Sequence, residues 1–320
     1  MTSIKIGTRG SRLALWQAYY VENLLRAGGL QTEIVLIDTK GDQILDRSLS
    51  KIGSKGVFSQ ELEDQLRDGR IDIAVHSAKD LQSELDNDLE LIAFTEREQA
   101  NDVLVSFKKD ATLNHSITQP STLTVGTSST RRVALLRHFY PHVKTTDMRG
   151  NLQTRLRKLE EGQCDAILLA YAGVHRMQYD DLIVAHLPLD EFTPAVGQGS
   201  VAIECAKSLT VSKKQLIRTL LNHPDTEICL LAERAFLRRL QGGCSVPVFG
   251  LATLTDKQIS MTGGVVSLDG QQLLKQTVVG SANEAENTGQ DLAEMLLKLG
   301  AAEILNAIKN QANPPNNNPN

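Results

Sequence analysis

The sequence contains no apolar run approaching the roughly 18 residues of a helical membrane span, and only 4% of its 320 residues are aromatic, with one tryptophan. A helical membrane protein is excluded. The four cysteines, Cys164, Cys205, Cys229 and Cys244, show no CxxC spacing, so neither a zinc knuckle nor a disulfide framework is expected and the thiols should be free. Basic residues never run beyond two in succession and the few aromatics show no stacking pattern, which argues against a nucleic-acid partner. No G-x-G-x-x-G stands at a strand-to-helix corner, and Gly53-Ser54-Lys55-Gly56 is not a P-loop, which disfavours a dinucleotide. The N-terminus enters Ile4-Lys5-Ile6-Gly7 without the charged-then-apolar run of a signal peptide, so a cytoplasmic location is expected. What remains is ordinary: 34 basic against 38 acidic residues and 41% hydrophobic residues, a globular composition long enough for two or three domains.

Hydrophobic periodicity supplies the order of elements. Strand Ile4–Gly7, helix Leu13–Arg26, strand Glu33–Asp38, helix Ser59–Asp68 and strand Ile71–Ser77 alternate, and alternation implies a parallel sheet. The same order recurs in Leu123–Gly126, Arg132–Phe139, Val143–Thr146, Leu152–Glu161 and Asp165–Ala170. Pro194, Gly197 and Gly199 mark a crossover, after which Val201–Cys205 reads as a strand returning to the first domain. Beyond Asp225 come a helix through Leu240, strands Val246–Leu254, Gln258–Ser267 and Gln272–Val279, and a helix from Thr288. The expected fold is therefore α/β: two similar, doubly connected α/β domains resembling periplasmic binding proteins, plus a small C-terminal α+β domain. The first domain should comprise 1–98 and 200–218, the second 103–193 and the third 222–311, with 312–320 a disordered Asn/Pro tail. A double connection places the cleft between the carboxyl ends of both sheets, where open α/β sheets bind ligands.

Both strand-to-helix corners combine backbone N–H groups at a helix start with hydroxyls and guanidinium groups. Thr8, Arg9, Ser11 and Arg12 form the first; Thr127, Ser128, Ser129, Arg131 and Arg132 form the second. One such corner alone is better explained by ordinary N-capping. Two facing one cleft, joined by Arg149-Gly150-Asn151, Arg155 and Arg176, point to a carboxylate or phosphate site. Lys79-Asp80 ends the third strand, so the carboxylate faces the cleft beside a lysine that favours its ionised form. An acid/base or charge-stabilising role and a plain surface dipeptide weigh equally there. The equivalent position of the second copy is Gly173. His76 reads as a packed strand histidine. Cys205 and Cys229 read as core, whereas Cys244 lies in the loop Gln241-Gly242-Gly243-Cys244-Ser245-Val246-Pro247, where glycines allow close approach and a thiol can serve as nucleophile or attachment point. The long segment Thr39–Phe58, with three glycines and Lys40, Lys51 and Lys55, reads as a lid or binding loop.

Six co-linear motifs carry a resemblance. Gly7-Thr8-Arg9-Gly10-Ser11-Arg12-Leu13-Ala14-Leu15-Trp16-Gln17, Val75-His76-Ser77-Ala78-Lys79-Asp80, Val125-Gly126-Thr127-Ser128-Ser129-Thr130-Arg131-Arg132, Arg149-Gly150-Asn151, Pro194-Ala195-Val196-Gly197-Gln198-Gly199 and Leu240-Gln241-Gly242-Gly243-Cys244 closely resemble the porphobilinogen deaminase (hydroxymethylbilane synthase) family, over about residues 4–310. Gln82 stands where that family usually has proline, and Thr130 where leucine is common. The resemblance implies a transferase of tetrapyrrole and heme biosynthesis that condenses four porphobilinogen molecules with loss of ammonia. It implies a dipyrromethane cofactor joined by a thioether to Cys244, a catalytic Asp80, and cofactor or substrate contacts from Arg9, Ser11, Gln17, Ser77, Lys79, Thr127, Ser129, Arg131, Arg132, Arg149, Arg155, Arg176, Gln198 and Gly199. Lys51, Lys55 and Phe58 match the loop covering the family's site, and a monomer is implied. No metal is expected.

A non-catalytic anion-binding module of the solute-binding type is the alternative of another class. It leaves Lys79-Asp80 and the Gly-Gly-Cys loop without a purpose. A cysteine-dependent enzyme of another kind would need a histidine partner for Cys244, and none is evident.

Overall fold

The computed structural model describes residues 3–39, 59–114, 123–242 and 246–312; of the tail expected at 312–320, Ala312 ends the last helix and 313–320 lie outside the described residues. Strand β1 (Ser3–Thr8) is followed by α1 (Arg12–Ala27). Ser11 caps α1 by accepting from the Ala14 N–H, Arg26 sits in its last turn, and Ala18, Val21 and Leu25 form the buried stripe, a helix with its ends and its apolar face specified locally. Then come β2 (Gln31–Leu36), α2 (Gln60–Arg67), β3 (Ile73–Ser77), a single 3-10 turn at Ala78–Asp80, β4 (Leu89–Phe94) and β5 (Asp102–Val105).

The second run contains β6 (Thr124–Gly126), α3 (Thr130–Phe139), β7 (Lys144–Thr146), α4 (Leu152–Glu160), β8 (Ala166–Ala170), α5 (Tyr171–Arg176) and β9 (Ile183–His186). Strand β10 (Val201–Ala206), α6 (Val211–Leu221) and α7 (Pro224–Arg239) follow, then β11 (Val248–Thr255), β12 (Gln258–Val266), β13 (Leu273–Ser281), α8 (Ala285–Lys298) and α9 (Ala301–Ala312).

The first sheet has the order β2-β1-β3-β10-β4 and the second β7-β6-β8-β5-β9. The three strands that alternate with helices are parallel in each, as periodicity implies. The sheets as a whole are mixed, which corrects the expectation of parallel sheets. β10 runs antiparallel to β3 and β4, and β5 antiparallel to β8 and β9. The reason is connectivity. Each crossover delivers a strand that enters its sheet from the cleft end, opposite in direction to the strands whose carboxyl ends face the cleft.

The C-terminal part is an antiparallel meander β11-β12-β13, backed by α7 and α8 around Phe236, Ile259, Met261, Leu292 and Leu296. It docks on both α/β units. Phe249 and Val266 complete the core of the second sheet, while Leu230 joins Ala78, Leu81, Phe94 and Ala202 beside the first. Cys164, Cys205 and Cys229 are buried and free. His76 is packed as its position predicts, its Nε2 2.9 Å from the Glu204 carboxylate, which is itself fully buried. That partner comes from β10 and could not be found by reading around His76.

Candidate active site

The two corners have the capping chemistry their sequences predict. Ser11 Oγ accepts from the Ala14 N–H at 3.3 Å; Ser129 Oγ accepts from the Arg132 N–H at 3.5 Å, and Thr127 Oγ1 from the Ser129 N–H at 3.3 Å. A third helix start at the same cleft is built by Asn151, which caps α4 through the Thr154 N–H at 2.9 Å, after Gly150 takes a φ of +110°. Three helix N-termini thus begin at the motif positions, and each contributes orphan N–H groups and positive dipole.

Arg131 and Arg132 lie in the first turn of α3, only 4% and 5% exposed, and are not open forks lining the cleft. Their Nη2 atoms each donate at 2.7 Å to one oxygen of Asp102, and their Nη1 atoms to the carbonyls of Thr193 and Leu168. Asp102 opens β5, is fully buried, and also accepts from Gln198 Nε2 at 2.9 Å. Burial works against its ionised form, but Arg131 and Arg132 outweigh that and hold the carboxyl well below the usual range. Asp102 was invisible to motif reading because its partners are 29, 30 and 96 residues away. The only signal was an isolated acid at the point where the chain crosses between units.

Lys79 follows the first sheet's β3 and donates from Nζ to Gln198 Oε1 at 3.5 Å. Burial pushes its pKa down to about 8; Asp80 opposes that shift, and Arg132 adds to it. Arg155, on α4 of the second unit, donates from Nε to Gly150 O at 2.8 Å. Burial, then Arg132, bring it down to about 10, with Asp80 pulling the other way. Asp80 itself is exposed. The first unit's carboxylate therefore shares one electrostatic neighbourhood with the second unit's guanidinium groups. Arg149 Nε donates to Asp147 at 2.6 Å on the rim of that neighbourhood.

Gln17, buried on α1, donates from Nε2 to Ser77 Oγ at 2.8 Å and so ties the first corner to the strand that carries Lys79-Asp80. Arg9 is partly exposed beside that corner. Arg176 donates to Gly199 O at 2.7 Å, with its guanidinium 5.2 Å above the Trp16 ring. The crossovers are pinned from the third unit by Glu233, fully buried on α7. It accepts from Arg97 Nη1 at 2.5 Å and from the backbone N–H groups of Gly197 and Ala252 at 2.8 Å. Arg97 in turn donates to Gln198 O at 2.9 Å. Arg234, the next residue of α7, donates to the carbonyls of Gln82 and Ser83, just past Asp80.

Lys51, Lys55, Phe58 and Cys244 lie outside the described residues. The flanks of Cys244 are placed: Gly242 N–H donates to Leu237 O at 3.0 Å at the end of α7, and Val246 packs against the third unit's core, which also holds Val196 of the crossover.

No helix among the described residues is long and apolar enough to cross a membrane, and no cluster there could hold a metal ion. The arrangement suits a polyanion. The Nε–H groups of Arg131 and Arg132 are buried and meet no acceptor among the described residues. A ligand bearing several carboxylates fits a site that holds more cations than Asp80, Asp102 and Asp147 neutralise.

A family model described as the porphobilinogen deaminase dipyrromethane cofactor-binding domain matches residues 4–214, and one for the porphobilinogen deaminase C-terminal domain matches 227–298. The porphobilinogen deaminase of Cytophaga hutchinsonii is 58% identical over 96% of this chain and 97% of its own length, and that of Desulfosudis oleivorans 54% over 96% and 98%. Among solved structures, the VFT2 domain of Bordetella pertussis BvgS aligns with 69% of this chain and 85% of its own at 17% identity and a TM-score of 0.41.

Proposed function

Because the chain belongs to the porphobilinogen deaminase family, we propose a division of labour in its cleft in which Asp80 handles charge and protons while the surrounding cations hold carboxylates. The activity is that of hydroxymethylbilane synthase: four porphobilinogen molecules are joined head to tail with release of ammonia, and hydroxymethylbilane is freed by hydrolysis, in tetrapyrrole biosynthesis. The family's dipyrromethane cofactor supplies the terminal pyrrole from which the chain is extended, and Cys244 is the residue we assign to its thioether. We assign its carboxylates to Arg149 and Arg155 with the hydroxyls of Thr127 and Ser129, and to the positive charge that the buried Arg131 and Arg132 add beneath them.

Asp80 has the chemistry the reaction requires. When the C–N bond of porphobilinogen breaks, ammonia departs and the pyrrole nitrogen's electrons leave a cationic methylene-pyrrolenine. A fixed carboxylate within reach of the pyrrole N–H stabilises that cation. Once the new C–C bond forms, the displaced ring proton needs an acceptor, a role we assign to Asp80, which is exposed. Lys79, Arg149, Arg155 and Arg9 would clamp the acetate and propionate of the incoming unit, bidentate guanidinium forks being better matched to carboxylates than ammonium groups. Ser11 and Gln17 steady the first corner and Ser77. Arg176, Gln198 and Gly199 link the clamp to the crossover. We infer that a single chain acts alone, in the cytoplasm.

The observation that carries this reading is the convergence of Asp80 and Lys79, in the turn after β3 of the first unit, with Arg132 and Arg155, on helices of the second. Intact-mass measurement tests it. The wild-type chain should carry an adduct of two pyrrole units that Cys244→Ala lacks, and Asp80→Ala should keep the adduct while losing at least a hundredfold in kcat. An Asp80→Ala variant with near-normal turnover would remove Asp80 from the mechanism, and an adduct persisting in Cys244→Ala would move the attachment point.

A further inference from the structure

We propose that the groove between α1 and the end of α5, which runs outward from the first corner of the cleft, is a second subsite that holds a carboxylate-bearing pyrrole of the lengthening chain. The proposal rests on the reading that this cleft elongates a polypyrrole. Arg12, Leu15, Trp16 and Tyr19 line one wall, and Arg176, Met177 and Gln178 the other, of an open groove of about 390 Å³.

The α1 residues are spaced i, i+3, i+4 and i+7, so they form a single stripe on one helix face, about 10 Å long at 1.5 Å per residue. The stripe starts at the residue after Ser11, the cap of the first corner, and runs outward from the cleft. Its surface is preorganised. Trp16 stacks on Tyr20 with centroids 5.4 Å apart and planes 11° from parallel, and Arg176 is held over the Trp16 ring by its bond to Gly199 O. Tyr19 presents an aromatic ring that is 52% exposed. Flat rings beside guanidinium groups suit an electron-rich aromatic ring bearing carboxylates, because the ring stacks while the forks take the charge.

The fold also supplies a reason for such a subsite. Each addition brings one more ring and two more negative charges. Widening the cleft to admit them would break the buried contacts of Glu233 with Arg97 and Gly197 and those of Gln198 with Asp102. Moving rings out along α1 breaks none of these. Early additions should therefore be independent of the groove, and late ones dependent on it.

The test uses the holoenzyme with limiting porphobilinogen, quenched at intervals, with intact mass reporting how many units each chain carries. Tyr19→Ser and Met177→Glu, both at positions outside the cleft, should leave the first addition within twofold of wild type and slow the last two by about tenfold. Tyr19→Phe should restore the wild-type distribution, and Met177→Lys should not slow the late additions. A wild-type distribution in both Tyr19→Ser and Met177→Glu, or equal slowing of every addition, would overturn the subsite. A wild-type enzyme that carries no pyrrole units at any time would instead overturn the elongation reading itself.

Discussion

Asp102→Asn is the most informative perturbation of the buried charge network. The carboxylate accepts two charge-assisted hydrogen bonds, from Arg131 and Arg132 at 2.7 Å, and a neutral one from Gln198 at 2.9 Å. At ~1.5–3 kcal/mol for each bond to a charged group and ~1 kcal/mol for the neutral one, the set contributes ~4–7 kcal/mol. Asparagine keeps one acceptor oxygen but places an amide N–H₂ against a guanidinium. The expected loss is therefore ~3–5 kcal/mol, the range found when one member of a buried ion pair is removed. Full burial of Asp102 means that solvent screening does not reduce this figure.

With an m-value near ~3 kcal/mol/M, the urea midpoint of the cofactor-free chain should fall by ~1–2 M. The pH dependence has a definite sign. Because the folded carboxyl titrates below its unfolded value of ~3.9, its stabilisation is complete above that value and disappears as pH falls toward the folded one. The wild-type advantage over Asp102→Asn should thus be constant from pH 5 to 7 and shrink below about pH 4. A midpoint shift under 0.3 M, or a difference independent of pH down to acid unfolding, would refute the electrostatic account of Arg131 and Arg132.

Two further outcomes follow from single residues. Lys79 is pushed down to about 8, so its charge, and the carboxylate binding that depends on it, should fade as pH rises through 8. The alkaline limb of kcat/KM should move upward in Lys79→Arg, and an unmoved limb would assign that limb to another group. Gly197 and Gly162 share a φ of +78°, but a Cβ at 197 would stand 2.8–3.0 Å from the Ala78–Lys79 backbone whereas 162 faces open space. Gly162→Ala should cost ~1–2 kcal/mol, the strain of a left-handed L-residue, while Gly197→Ala should cost more and also lower kcat by displacing the turn that carries Asp80; equal costs with unchanged kcat would refute that contact.

The α/β class, the repeated element order and the capping corners were legible from local chemistry. Ser11, Ser129 and Asn151 cap the helices they precede. The alternation of short apolar runs with amphipathic ones needs no distant partner to be read. Element ends were less exact: β11 starts at Val248 rather than Val246, and α8 at Ala285 rather than Thr288. The antiparallel placement of β5 and β10 was not legible, because strand direction is decided by where a crossover enters a sheet, not by the apolar pattern of the strand.

The sequence by itself determined which groups are available: an acid at the end of a parallel strand, arginines at helix starts, and a cysteine among glycines. Tertiary structure alone decided how they are used. It turned Arg131 and Arg132 from cleft-edge forks into a buried pair held by Asp102, and it placed Lys79 where burial lowers its pKa. It also set Glu233 of the third unit against both crossovers. These are interactions between residues tens to more than a hundred positions apart, and their strength comes from exclusion of water. Neither separation nor burial is written in a local motif; both arise only once three units close on one another.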